Sequence, residues 1–194
     1  MRIGKQLLAF LRLPWPARQF YVRAAAAAIR ARDGWSLRIG VRPLEFRKLL
    51  ELATGGPVAE IGTGTGWCAL ALASCGYDVF TCDPLEPPQR ELYLSLVAPE
   101  VARRVQFATR RGEQGPPRDQ SFPLVFVDAS HERDATIATF EAWQSAVAPG
   151  GAVAFHDYIS AWPEVVEAIH VLGLEGETYG SLFVWRKASS NGAG

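Results

Sequence analysis

Along most of the chain, short apolar runs alternate with stretches whose apolar residues recur at helical spacing. The runs PVAEI (57–61), DVFTC (78–82), VQFA (105–108), LVFVD (124–128) and AVAFHD (152–157) are short and almost continuously apolar, which predicts buried strands. Between them, 66–75, 88–103, 132–147 and 162–172 carry helical patterns. This alternation predicts an α/β fold, a Rossmann-like doubly wound sheet that is mostly parallel with helices on both faces. LEGETYG (174–180) and SLFVWRK (181–187) leave no room for a helix between them. They predict an antiparallel C-terminal hairpin at the sheet edge and bring the strand count to seven.

Ahead of the first strand the pattern is helical. Ile3, Leu7, Leu8 and Leu11 fall on one stripe, with Arg2, Lys5 and Arg12 away from it, so residues 3–11 read as a short basic amphipathic helix. LPWP breaks it, and ARQFYVRAAAAAIRAR then runs as a second helix to a stop at Asp33–Gly34. A third helix starts at Pro43 and closes at Gly55–Gly56. The chain divides into a helical segment over 1–42, an α/β domain over 43–187 and a disordered tail over 188–194.

Composition changes this picture little: 194 residues, 48% of them hydrophobic and 21% charged, suit one large domain. Charge adds an asymmetry, because residues 1–54 hold eleven Lys/Arg against three Asp/Glu, within a chain of zero net charge. No stretch approaches the roughly 18 apolar residues of a membrane span. Arg12 also interrupts the only candidate for a secretory signal, so a cytoplasmic location is expected. Cys68, Cys75 and Cys82 are odd in number and seven apart, which fits neither a disulfide framework nor a metal knuckle; they read as core residues.

The densest local signal is VAEIGTGTGWCALALA (58–73), three glycines at alternate positions where a strand gives way to a helix. In a doubly wound sheet such a turn lets backbone approach a nucleotide-like ligand at the carboxyl end of the first strand. Gly64 to Ala69 also satisfies the dinucleotide pattern G-x-G-x-x-A, with Asp83 downstream at a distance suited to a ribose. An NAD(P)-dependent oxidoreductase therefore stays open as an alternative, as does a noncatalytic cofactor-binding protein. Glu60 favours another ligand: a carboxylate two residues before the first glycine attracts the amino group of a methionine moiety, where a pyrophosphate would prefer neutrality.

With EIGTGTG and the closing hairpin, residues 43–187 resemble the class I S-adenosylmethionine-dependent methyltransferases. That resemblance implies that Gly62, Thr63, Gly64 and Gly66 pass under the cofactor, that Glu60 supports its amino acid end and that Asp83 takes the ribose hydroxyls. Asp128 joins the cofactor-contact set. In many relatives an acid after the third strand meets the adenine; here that stretch reads ATRRGEQG and Arg110 and Arg111 stand there.

The stretch LVFVDASHERD…AVAFHDY resembles a subgroup of small-molecule O-methyltransferases, macrocin-type and cephalosporin-hydroxylase-like, with D-x-x-H after the fourth strand and an acidic pair plus Tyr after the fifth. Asp128 and His131 match the first element, and Asp157 and Tyr158 the second, with His156 in place of the first acid. In members with a metal, the ligands correspond to Asp128, His156 and Asp157, which would hold Mg²⁺ or another divalent cation. Replacing a carboxylate by His moves the set away from Mg²⁺. Independently of the family, methyl transfer to a hydroxyl needs that oxygen deprotonated, and an imidazole suits the task. His131 is the candidate general base and a small-molecule hydroxyl the candidate acceptor. Against this, Asp128 or Ser130 could merely cap the helix near Glu132, and His131 could be an ordinary surface residue.

The basic front end reads first as a lid over the substrate pocket or a homodimer interface, ahead of membrane-surface contact by the first helix. A nucleic acid partner is not expected, because the domain is not basic overall and no NPPY-type motif is present. Trp15, Trp35, Trp67 and Trp162 read mainly as packing, and His170 as structural or surface.

Overall fold

The computed structural model describes residues 3–117 and 120–189. Four helices come first: α1 (Ile3–Leu11), α2 (Trp15–Ala31), α3 (Gly34–Ile39) and α4 (Pro43–Ala53). The sheet and its crossovers follow as β1 (Val58–Ile61), α5 (Trp67–Ser74), β2 (Val79–Asp83), α6 (Arg90–Leu94), α7 (Pro99–Ala102), β3 (Val105–Thr109), β4 (Phe122–Val127), α8 (Arg133–Trp143), β5 (Val147–Phe155), α9 (Pro163–Val171), β6 (Gly176–Tyr179) and β7 (Leu182–Arg186).

The seven strands run in the order β3-β2-β1-β4-β5-β7-β6. Pairs among β1 to β5 are parallel, and β7 is antiparallel to both β5 and β6. The C-terminal hairpin thus inserts its second strand into the sheet and leaves its first at the edge. From β1 the chain winds outward through β2 and β3, then returns to build β4 and β5 on the other side. The switch point lies between β1 and β4, where doubly wound sheets bind their ligands.

Alternate strand residues face opposite layers, as a sheet covered on both sides requires. Val58, Leu124 and Ala152 join the core under α2, α4 and α5. Ala59, Val125 and Val153 join Trp143 of α8 and Ile169 of α9 on the other face. The alanine run of α2 has a packing role, since Ala24, Ala27 and Ala28 are buried and let that helix close on α5.

Three local readings change. Asp33–Gly34 ends α2 as expected but also starts a further helix: the Asp33 carboxylate accepts the backbone N–H of Ser36 at 3.0 Å and caps α3. The single helix expected over 88–103 is two short ones, because Ala98 is held extended before Pro99. On α1 the stripe faces outward, with Leu7, Leu8 and Leu11 exposed while Ala9 and Leu13 are buried. Of the tail expected over 188–194, residues 190–194 lie outside the described residues.

Candidate active site

At the end of β1 the chain must turn under the end of β4, and that crossing demands glycine. Gly62 has φ +101°, and a Cβ there would stand 1.9 Å from the Asp128 carbonyl oxygen. Gly64 and Gly66 also take positive φ, the latter as N-cap of α5. Two side chains hold the turn from β2 and α6. Asp83 accepts the Gly64 N–H on Oδ2 at 3.0 Å and the Leu85 N–H on Oδ1 at 2.9 Å. Buried Arg90, which the sequence reading passed over, donates from Nη2 to the carbonyls of Gly64 and Leu85 at 3.1 and 3.3 Å.

Above this turn opens a cavity of about 840 Å³, within the range of small-ligand sites. Glu60 reaches it from β1. It is buried, and its Oε2 accepts the Thr81 hydroxyl at 2.6 Å, which in turn lies 2.7 Å from the Thr63 hydroxyl. Burial first, then the nearby Asp128 and Asp83, raises the Glu60 pKa to about 8. The buried site thus favours the neutral carboxyl. One wall comes from α3, through Trp35, Arg38 and Ile39. That helix is tied to the turn by a buried chain in which Tyr93 Oη donates to Asp33 at 2.6 Å and the Ser36 hydroxyl approaches Thr65 at 3.4 Å.

The second cluster sits at the ends of β4 and β5, against the same cavity. His156 Nδ1 lies 3.0 Å from Asp128 Oδ1 and 3.4 Å from Asp157 Oδ2, while its Nε2 is 3.6 Å from Glu45 Oε2. Burial opposes a charge on His156, but three carboxylates outweigh it and raise the imidazole pKa to about 12. Burial likewise opposes the charged form of Asp157, and the His131 and His156 contacts overcome it, so the carboxyl falls below the usual range.

His131 Nε2 meets Asp157 Oδ2 at 2.9 Å, and the ring stacks on Trp162 with centroids 3.8 Å apart and planes 12° from parallel. Asp157 itself holds φ +55°, a left-handed conformation that is uncommon for a residue with a side chain and recurs at functional sites.

Asp128 and His131 from one stretch and His156 and Asp157 from another thus converge on one cavity with Glu60 and the glycine turn. Glu45 is the residue the sequence reading missed. It is fully buried at the start of α4 and accepts the Ser181 N–H at 3.0 Å and the Ser181 hydroxyl at 2.8 Å. It joins α4, the β6–β7 turn and His156. Of the ATRRGEQG stretch, Gly112 lines the cavity, while Arg110 donates to the Gln114 carbonyl at 2.8 Å. Ser130, not Asp128, binds the N–H of Glu132 ahead of α8, at 3.2 Å. Trp67 packs edge-on against Phe20, Tyr21 and Tyr93. His170 is exposed, 3.4 Å from the Tyr158 hydroxyl, and Cys68 and Cys82 are buried as free thiols.

Residues 59–158, more than half of the chain and most of this site, match the family model of a methyltransferase domain. The chain belongs to that family. Solved structures of methyltransferases share the fold: the O-methyltransferase NovP at 18% identity and TM-score 0.54, over 74% of this chain and 78% of its own. A SAM-dependent O-methyltransferase from Thermotoga maritima aligns at 13% identity and TM-score 0.56, over 79% of this chain and 68% of its own. The methyltransferase CcbJ from Streptomyces caelestis aligns at 24% identity and TM-score 0.47, over 55% of this chain. The aligned region spans 44% of CcbJ, under half its length. The seven-stranded Rossmann-like sheet of this chain shares its fold with NovP and the Thermotoga maritima protein.

Asp128, His156 and Asp157 offer ligand atoms within 4.8 Å of one another, close enough for one cation. His156 Nδ1 faces both carboxylates, while its Nε2, 3.6 Å from Glu45 Oε2, is buried without a hydrogen-bond partner.

Proposed function

We propose that this methyltransferase uses S-adenosylmethionine, binds it across the glycine turn, and methylates a hydroxyl group of a small molecule with His131 as general base. One observation carries the reading: the glycine turn, the Glu60 carboxyl and the His131–Asp157 pair open into one cavity of about 840 Å³.

The residues fit the cofactor. Glu60 is a buried carboxyl at the turn that accepts from the Thr81 hydroxyl and the Cys68 thiol and keeps further acceptor capacity for the ammonium group of an amino acid. Each Asp83 oxygen accepts one backbone N–H and keeps a lone pair for a ribose hydroxyl. Thr63 supports Glu60 through Thr81. When bound, the cofactor supplies an electrophilic methyl group on a sulfonium.

The remaining work falls to the chain. With the His131 Nε2–H donated to Asp157, Nδ1 is the nitrogen left to accept the acceptor's proton. Asp157 fixes that tautomer and steadies the imidazolium as it forms, and Trp162 holds the ring plane. A base of this kind serves an oxygen nucleophile, since a neutral amine attacks with a lone pair it already has. No step of the scheme needs a divalent ion at Asp128, His156 and Asp157.

The test is a screen of hydroxylated small molecules with methyl-labelled S-adenosylmethionine, run with and without a chelator. The reading expects labelled methyl ethers, formed equally with chelator present and lost in His131→Ala. Label on nitrogen, or full turnover in His131→Ala, would overturn it.

A further inference from the structure

We propose that the outward face of α1, with the cations around it, docks this protein on an anionic membrane surface. The register of α1 is the first observation. Ala9 and Leu13 are turned inward, and Gln6 Oε1 accepts the Leu44 N–H at 3.0 Å, which pins the helix to the start of α4. In that register Leu7, Leu8 and Leu11 are 58%, 52% and 56% exposed, and Trp15 beyond them is 62% exposed. Leu11 stands four residues after Leu7 and three after Leu8, the spacings that share a helix face, so it joins the other two leucines into one patch. A helix placed to satisfy water alone would bury these leucines and expose Ala9; the docked register does the reverse.

Charge is the second observation. Lys5 and Arg12, three residues before and four after Leu8, are both exposed. The Arg18 guanidinium lies 5.3 Å above the Trp15 ring. The first 32 residues contain seven Lys/Arg and no acid. Leucines and a tryptophan rimmed by cations match an interfacial helix, whose apolar face enters the boundary of the acyl chains while its cations meet anionic headgroups. A second copy is a poor occupant, because an isologous contact sets the same patch against itself and opposes cation to cation. An anionic lipid surface satisfies both halves of the patch together.

Flotation of the full chain with vesicles tests this. Phosphatidylcholine vesicles containing phosphatidylserine should carry the protein upward, phosphatidylcholine alone should leave it behind, and added salt should release it. Lys5→Gln and Arg12→Gln should each lower the partition coefficient about fivefold. The triple variant Leu7→Ser, Leu8→Ser, Leu11→Ser should abolish flotation while its thermal midpoint and far-ultraviolet circular dichroism stay those of the parent. Absence of flotation with anionic vesicles, or equal flotation of the leucine variant, overturns the proposal. So does a dimer in sedimentation velocity that the leucine variant dissociates, which would assign the face to a second copy.

Discussion

His131 and Asp157, 26 positions apart, meet through a 2.9 Å contact between Nε2 and Oδ2, at the mouth of the cavity that the glycine turn floors. A carboxylate on one imidazole nitrogen decides which nitrogen can take a proton. His131→Ala should lower kcat by about 10²- to 10⁴-fold. Asp157→Asn should lower it on the order of 10²-fold by favouring the other tautomer. Asn tolerates the left-handed backbone of position 157, so cofactor affinity should hold in that variant, while the thermal midpoint falls with the loss of the carboxylate beside His131 and His156. Calorimetric affinity and steady-state kinetics on the same preparations check the split; equal losses in both would make Asp157 a structural residue.

Gly62 and Gly76 share a positive φ, +101° and +93°, but differ in surroundings: a Cβ at Gly62 collides with the Asp128 carbonyl oxygen, while a Cβ at Gly76 meets nothing within 4 Å. Gly76→Ala should cost about 1–2 kcal/mol from backbone conformation alone. Gly62→Ala should cost more than about 4 kcal/mol, because β1 or β4 must shift. Denaturant midpoints of the two variants measure the difference, and equal midpoints would contradict the crossing described between β1 and β4.

Between pH 5 and pH 8, Glu60 and His156 make stability fall as pH rises. The pKa of Glu60 is raised from 4.5 to about 8, so its contribution is full below 4.5 and is lost as pH rises through 8. His156 is raised from 6.5 to about 12, so its contribution is full below 6.5 and declines above it. Asp157 works the other way, its depressed pKa withdrawing stability as pH falls below 3.8. The free protein should be most stable in mildly acidic solution and lose thermal midpoint between pH 5 and pH 8. In Glu60→Gln, which cannot ionise, the loss over that interval should be smaller; an unchanged slope would mean that Glu60 is ionised throughout.

The same group predicts proton release on cofactor binding. An ammonium placed against Glu60 favours its anion, so at pH 7 binding should expel a proton from a carboxyl of pKa about 8. Calorimetric titration in two buffers of different ionisation heat should show a buffer-dependent enthalpy in the parent chain and a smaller dependence in Glu60→Gln. Identical dependence would remove Glu60 from the amino acid end of the site.

Much of this architecture was legible in the sequence because it rests on local rules. Short apolar runs such as LVFVD become strands, and glycines at alternate positions after VAEI mark a backbone that must pass close to something. The convergence of Asp128, His131, His156 and Asp157 followed from placing strand ends on one rim. What escaped depends on contacts that spacing does not encode. Asp33–Gly34 satisfies the chemistry of a helix stop and of a helix cap alike, and the hydrogen bond to Ser36 makes it a cap. Glu45 and Arg90 look like solvated helix residues until the Ser181 turn and the Gly64 carbonyl are brought to them. The outward leucines of α1 follow from its docking on α4, which no property of residues 3–11 determines.

The most direct measurement is calorimetric titration of the full chain with S-adenosylmethionine, with NADH as control and Asp83→Ala as the variant. The account predicts one saturable site for S-adenosylmethionine with affinity on the order of micromolar, no heat from NADH, and affinity sharply reduced in Asp83→Ala. Saturable NADH binding without any for S-adenosylmethionine would contradict it, and would make Gly64 to Ala69 a dinucleotide turn.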